Sequence, residues 1–184
     1  MSDLTPTSSQ AVVTDRPDPA ECRRLLATYL RDHRAAGGAG LALTRRCRRS
    51  NDGTALGRTL AEIENELIED LRTLTGTMER LGVTEAWFKQ FVTSGAELIG
   101  RLKSNGRIWR YSPSSRVLEL EGLMAGIVAR RGLWVSMRTV TPPQPGIDEA
   151  TLDRLIERAT SQIDRLAPEH QHAASVAIGA APFR

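Results

Sequence analysis

Residues 55–82 read ALGRTLAEIENELIEDLRTLTGTMERLG, and the fold turns on how this stretch is read. Leu60, Ile63, Leu67, Leu74 and Leu81 recur at intervals of three, four and seven, with Leu71 and Met78 beside them. That spacing lays one apolar stripe along a helix, and Gly82 supplies a residue suited to ending it. The same stretch holds EIENELIED at 62–70, five acids in nine residues. Asp70 falls on the centre line of the stripe, seven after Ile63, and Glu66 borders it. Glu62, Glu64 and Glu69 lie further round and are expected in solvent. An inward carboxylate must be paired, coordinated or protonated, because removing its charge from water is costly.

The stretch upstream predicts a partner helix. Asp18 caps it, with Pro19 and Glu21 in its first turn. Cys22, Leu26, Tyr29, His33, Ala36, Gly40, Leu43 and Cys47 then form a stripe along it. Its middle, Ala35 to Gly40, is rich in glycine and predicts either a kink or the close approach of a neighbour. SNDG at 50–53 is a turn, so the two helices form an antiparallel hairpin.

Downstream, Thr84 caps a shorter helix with Phe88, Phe91, Leu98 and Leu102 inward, ending at SNG, 104–106. Ser112-Pro113 opens a helix running to about Met137, apolar round much of its circumference and therefore expected to be deeply buried. TPPQPGID, 141–148, is a linker whose Asp148 caps a last helix. Leu152, Leu155, Ile156, Ala159, Ile163 and Leu166 line its face, and Pro168 is expected to kink it or open a new turn. The chain of 184 residues is thus expected to be all-α: an antiparallel four-helix bundle of two helical hairpins joined by a shorter crossover helix. Residues 1–18 read as a flexible tail, 19–178 as one domain and 179–184 as a frayed end. Aromatics make up only 4% of the chain, which favours Leu- and Ala-rich helices over sheets.

Composition excludes several classes. Val117 to Met137 contains Glu119, Glu121, Arg130 and Arg131, so it fails as a membrane span. The N-terminal stretch has no basic start followed by an apolar run, and two buried or idle thiols suit a reducing compartment, so a cytoplasmic location is expected. Cys22 and Cys47 would stand about 37 Å apart on a continuous helix, too far for a mutual disulfide. There is no phosphate loop, serine nucleophile motif or zinc spacing, so the chain is expected to be non-catalytic.

His33 lies on the stripe of the first helix, and Glu121 sits beside Val117, Met124 and Val128 on the fourth. His33, Glu66, Asp70 and Glu121 are therefore the candidate ligands should the bundle core hold iron or manganese. Against this stands an internal pair between the acids and His33 or an arginine, the more common arrangement. Glu119 with Arg116 reads as a surface pair.

The two-hairpin plan over residues 19–177 resembles the ferritin-like group of four-helix bundles. That resemblance implies iron or manganese storage or oxidation at carboxylates inside the bundle. Di-metal members carry an inward Glu on two helices and Glu-x-x-His on the other two. Here the one Glu-x-x-His is Glu169 to His172, after Pro168, and His33 or Asp32 would stand where the group usually places a glutamate.

RLKSNGRIWRY, 101–111, sets Arg101, Lys103, Arg107 and Arg110 around Trp109 and Tyr111. Such interleaving can grip a nucleic acid or another anion. The net charge is only +3 and no nucleic-acid motif accompanies the stretch, which favours a connector whose aromatics plug the bundle end. Trp134 and Met137 read as ordinary core or as an apolar patch for a homodimer.

Overall fold

The computed structural model describes residues 18–83, 113–140 and 146–179. Within them the protein is an all-α four-helix bundle: α1 Pro19–Ser50, α2 Ala55–Arg80, α3 Pro113–Thr139 and α4 Glu149–Ile178. The crossover helix expected over residues 84–102 and the basic, aromatic stretch 101–111 lie outside the described residues, as do both chain ends and the prolines of 141–145.

Local chemistry sets the helix ends. The Asp18 carboxylate accepts from the backbone N–H groups of Ala20 and Glu21, both at 2.8 Å, with Pro19 in the first turn. Thr54 Oγ1 accepts from Gly57 N at 3.0 Å to start α2. Asp148 does the same for Thr151 N at 2.7 Å to start α4. Gly53 in the α1–α2 turn and Gly82 after α2 have φ of 74° and 68°, a region that glycine enters without strain. The turn is tight enough that a Cβ on Gly57 would lie 2.2 Å from the carbonyl oxygen of Asn51, so only glycine fits there.

Neither expected kink breaks a helix. α1 runs unbroken through its glycines, and at Gly37 α2 comes close enough that a Cβ would stand 2.6 Å from Leu71 Cδ2. α4 continues through Pro168 to Ile178. The inward line of α1 is rotated from the expected stripe. Leu30, Thr44 and Cys47 are buried, whereas Cys22 and Ala36 are exposed. Alanine and glycine give that stripe too little hydrophobic contrast to fix its angle.

Contacts between helices set the topology. α1 packs on α2 and α3, and α4 packs on α3 and α2, while the diagonal helices α2 and α3 reach each other through long side chains such as Arg130 and Asp70. Tyr29 meets Ser136 at one end of the α1–α3 pair and Cys47 meets Glu119 at the other, so these helices are antiparallel. Glu62 and Glu66 meet Arg165 while Asp70 meets Arg158, so α2 and α4 are antiparallel too. α2 therefore ends, and α3 begins, at opposite ends of the bundle.

The core has two apolar parts. One holds Cys47, Leu60, Ile63, Leu67, Leu120, Leu123, Ile127 and Leu166, towards the α1–α2 turn. The other holds Leu30, Leu74, Met78, Leu133, Trp134, Met137 and Leu155, towards the opposite end. Trp134 and Met137 are thus core residues, 0% and 3% exposed. On α2 the two parts are separated by Asp70, on α3 by Arg130, and on α4 by Arg158. A polar layer crosses the middle of the bundle, and it is the candidate site.

A charged layer as candidate functional site

The layer is assembled on three helices. α2 supplies Glu62, Glu66, Glu69 and Asp70 from successive turns, since positions three and four apart share a face. α3 supplies Arg130; α4 supplies Arg158, Gln162 and Arg165. Asp70 is fully buried, and its two oxygens meet two arginines: Arg158 Nη1 donates to Oδ1 at 3.0 Å, and Arg130 Nε lies 3.2 Å from Oδ2. Arg130 Nη2 donates to Gln162 Oε1 at 2.6 Å, and Gln162 Nε2 donates to Glu66 Oε2 at 2.8 Å. Arg165 joins Glu66, at 2.5 Å, to Glu62, at 3.2 Å. Arg158 reaches Glu69 at 3.0 Å. The result is one unbroken chain: Glu62, Arg165, Glu66, Gln162, Arg130, Asp70, Arg158, Glu69.

Its charge is uneven in depth. Glu62 and Glu69 at the ends are more than half exposed, where an ion pair contributes little. Asp70 and Arg130 at the centre are 0% and 11% exposed in their side chains. Burial pushes the Asp70 carboxyl up from its ordinary value, against the pull of Arg130 and Arg158. The same burial pushes the Arg130 guanidinium down, against Asp70 and Glu66. The central pair therefore sits where desolvation costs most and where loss of one partner would be felt most.

Glu64, expected in solvent, turns the other way. Its side chain is 13% exposed, and it accepts from Arg45 Nε at 2.8 Å and Arg48 Nε at 2.7 Å across the α1–α2 hairpin. Burial alone would raise its pKa; the hydrogen bonds from Arg45 and Arg48 outweigh it and hold the carboxyl below the usual glutamate value. A depressed folded pKa contributes stability that is complete above the unfolded value and lost as pH falls through the folded one. Acid titration of stability should therefore show a loss beginning below about pH 4.3 that Glu64→Gln removes. The loss should stay within about 1 kcal/mol because both arginines are solvent-accessible. Equilibrium urea unfolding from pH 6 to pH 3 measures it.

The four candidate metal ligands do not converge. Glu66 and Asp70 lie in the charge chain. His33 is half-buried on α1, its ring set edge-on to Tyr29 with centroids 4.6 Å apart, and burial lowers its pKa against the raising effect of Asp32. It shares with Arg130 the wall of a cavity of about 60 Å³ between α1 and α3. Glu121 points outward, 52% exposed, with its Oε1 3.2 Å from His170 Nε2. Among the described residues, no group of three or more His, Cys, Asp and Glu side chains is placed to hold a metal ion.

The acid that α3 turns inward is instead Glu119, expected on the surface. It is 4% exposed, accepts from Cys47 Sγ at 3.3 Å and faces Arg46 at 2.9 Å. Glu169 and His172 line a separate cavity of about 430 Å³ beside Asn51 and Arg116, where the α1–α2 turn meets α3 and α4. Arg130, Arg158, Gln162 and Arg165, which carry the layer, were legible only as polar residues. On α4, 158, 162 and 165 follow the four-and-three spacing of a single face, and that was the available signal. The chain matches no protein-family model, no curated protein and no solved structure.

Proposed function

We propose that this protein is a non-catalytic helical-bundle module of ferritin-like plan, whose interior charges fix how its helices pair and whose outer surfaces do its work. One observation carries this reading: both inward acids of α2 are occupied by arginines and a glutamine of the neighbouring helices. A carboxylate engaged by a guanidinium must break that pair before it can ligate a cation, and the broken pair would leave a buried arginine uncompensated. A charged layer also favours one register. Sliding α4 by one turn along α2 would carry either Arg158 or Arg165 past the end of the row of acids, whereas two apolar faces could slip with less penalty. The plan of two hairpins with α2 ending opposite the start of α3 supports the ferritin-like part of the proposal.

The test is linkage. A metal that binds only the folded state at a hundred times its Kd would add about 2.7 kcal/mol to stability. Urea unfolding under anaerobic conditions is expected to give the same midpoint in chelator and in excess Fe(II) or Mn(II). A rise of that size, abolished by Asp70→Asn, would overturn the reading in favour of a metal centre.

A further inference from the structure

Along the seam where α1 packs on α2 lies an open groove of about 590 Å³. Its floor is apolar, formed by Leu41, Ile68 and Leu71, all half-buried. Its walls are cationic, with Arg34 and Arg45 on α1 and Arg72 on α2. The helices run antiparallel. Arg45 meets Glu64 at one end of the groove, and Arg34 Nε donates to Thr75 Oγ1 at 2.9 Å towards the other. In that register Arg72 comes opposite Gly37, beside Arg34, and Gly37 does face Leu71. Eleven residues of helix set Arg34 and Arg45 about 16 Å apart along the axis of α1. Guanidinium groups thus stand at both ends of an apolar floor.

Charge and shape together choose the occupant. Among the lining residues three arginines face one acid, Glu79, which lies beyond Arg34. Glu64 does not restore the balance, because Arg45 shares it with Arg48. Arg72 is exposed and makes no ion pair among the described residues. Such walls favour carboxylates or phosphates, which a guanidinium can hold with two parallel hydrogen bonds. The floor favours apolar side chains between those charges, and a phosphate chain carries none there. No aromatic residue lines the groove among the described residues, so bases would find nothing to stack on. A seam between two packed helices is also the shape that receives a third. We propose that this groove docks an acidic amphipathic helix of a partner protein. Its apolar side chains lie over Leu41, Ile68 and Leu71, and its carboxylates meet Arg45 at one end and Arg34 and Arg72 at the other.

This inference rests on the reading that the outer surfaces do the protein's work. An iron-dependent rise of the urea midpoint would end that reading without moving peptide affinity. Absent peptide binding would end this one without moving the midpoint. Fluorescence anisotropy on the full-length protein tests it with two labelled synthetic peptides of about 18 residues. One carries leucines at i, i+4 and i+7 with glutamates at both ends of that face. The other has the same composition with the leucines spread round the helix. The patterned peptide should bind at least about tenfold more tightly than its control, because only it can bury its leucines together. Its affinity should fall as salt is raised. Arg72→Glu, an exposed substitution that should leave the urea midpoint unchanged, should weaken binding about tenfold or more, whereas Arg58→Glu in the first turn of α2 should not. A Kd above about 1 mM for the patterned peptide would overturn the proposal. So would equal affinity for the control, or binding indifferent to Arg72→Glu. Tighter binding of inorganic polyphosphate or an oligonucleotide, displacing the peptide, would overturn it in favour of a phosphate chain.

Discussion

Arg130→Met is expected to destabilise the protein by about 3–5 kcal/mol, the range for a buried ion pair that loses one partner. The fully buried Asp70 would keep only Arg158, whose side chain is one-third exposed. Gln162 would lose the donor to its carbonyl oxygen, and Gln162 is itself 0% exposed. The counterpart is less intuitive. Replacing both members, Asp70→Leu with Arg130→Met, removes the desolvation cost together with the attraction, and leaves Arg158 on Glu69. That double variant is expected to be less destabilised than Arg130→Met alone, its remaining cost of about 1–3 kcal/mol coming from the buried Gln162 carbonyl oxygen that has lost its donor. A further cost would appear in specificity, as broader helix resonances or a second oligomeric species. Urea denaturation of the three variants, with a two-dimensional NMR spectrum of the double one, measures both sides of this expectation.

Trp134→Ala is the second large effect, about 3–5 kcal/mol. Trp134 is the largest fully buried side chain and packs with Leu30, Met78, Leu133, Met137 and Leu152 in the core part away from the α1–α2 turn. Truncating it leaves a cavity that four packed helices cannot collapse around. Trp134→Phe should be far milder than the volume change suggests. The indole Nε1 has no hydrogen-bond partner among the described residues, so the phenyl ring also removes a buried orphan donor. A Trp134→Phe cost close to that of alanine would show that the indole nitrogen has a partner after all. Thermal unfolding followed by circular dichroism at two wavelengths separates these outcomes.

How far the sequence led depends on contrast. α2 could be placed with its face and its two inward acids because leucine and isoleucine alternate with charge along it. Asp18, Asp148 and Gly82 marked helix ends because each supplies a local group that the backbone needs there. α3 could be placed but not oriented. With apolar residues round most of its circumference, periodicity favours no single angle, and Glu121 was expected inward where Glu119 is. Those two side chains lie roughly 200° apart on a helix, so a modest error in rotation exchanges buried for exposed. The partners of Asp70 were hidden for the same reason, since Arg130 enters the core only at the true rotation of α3. Glu64 falls on the solvent side of the leucine stripe of α2, yet α1 and α4 pack on different faces of that helix, and the face of Glu64 meets α1.

Asp70 and Arg130 act as one structural unit, ion-paired to each other and joined to α4 through Arg158 and Gln162. A double-mutant cycle on Asp70→Asn and Arg130→Met, read as unfolding free energies, tests this most directly. The two single costs should exceed the cost of the double variant, with an interaction energy of about 1.5–3 kcal/mol. Costs that add to within about 0.5 kcal/mol would mean that the two groups do not act on one another in the folded protein, and would contradict the account.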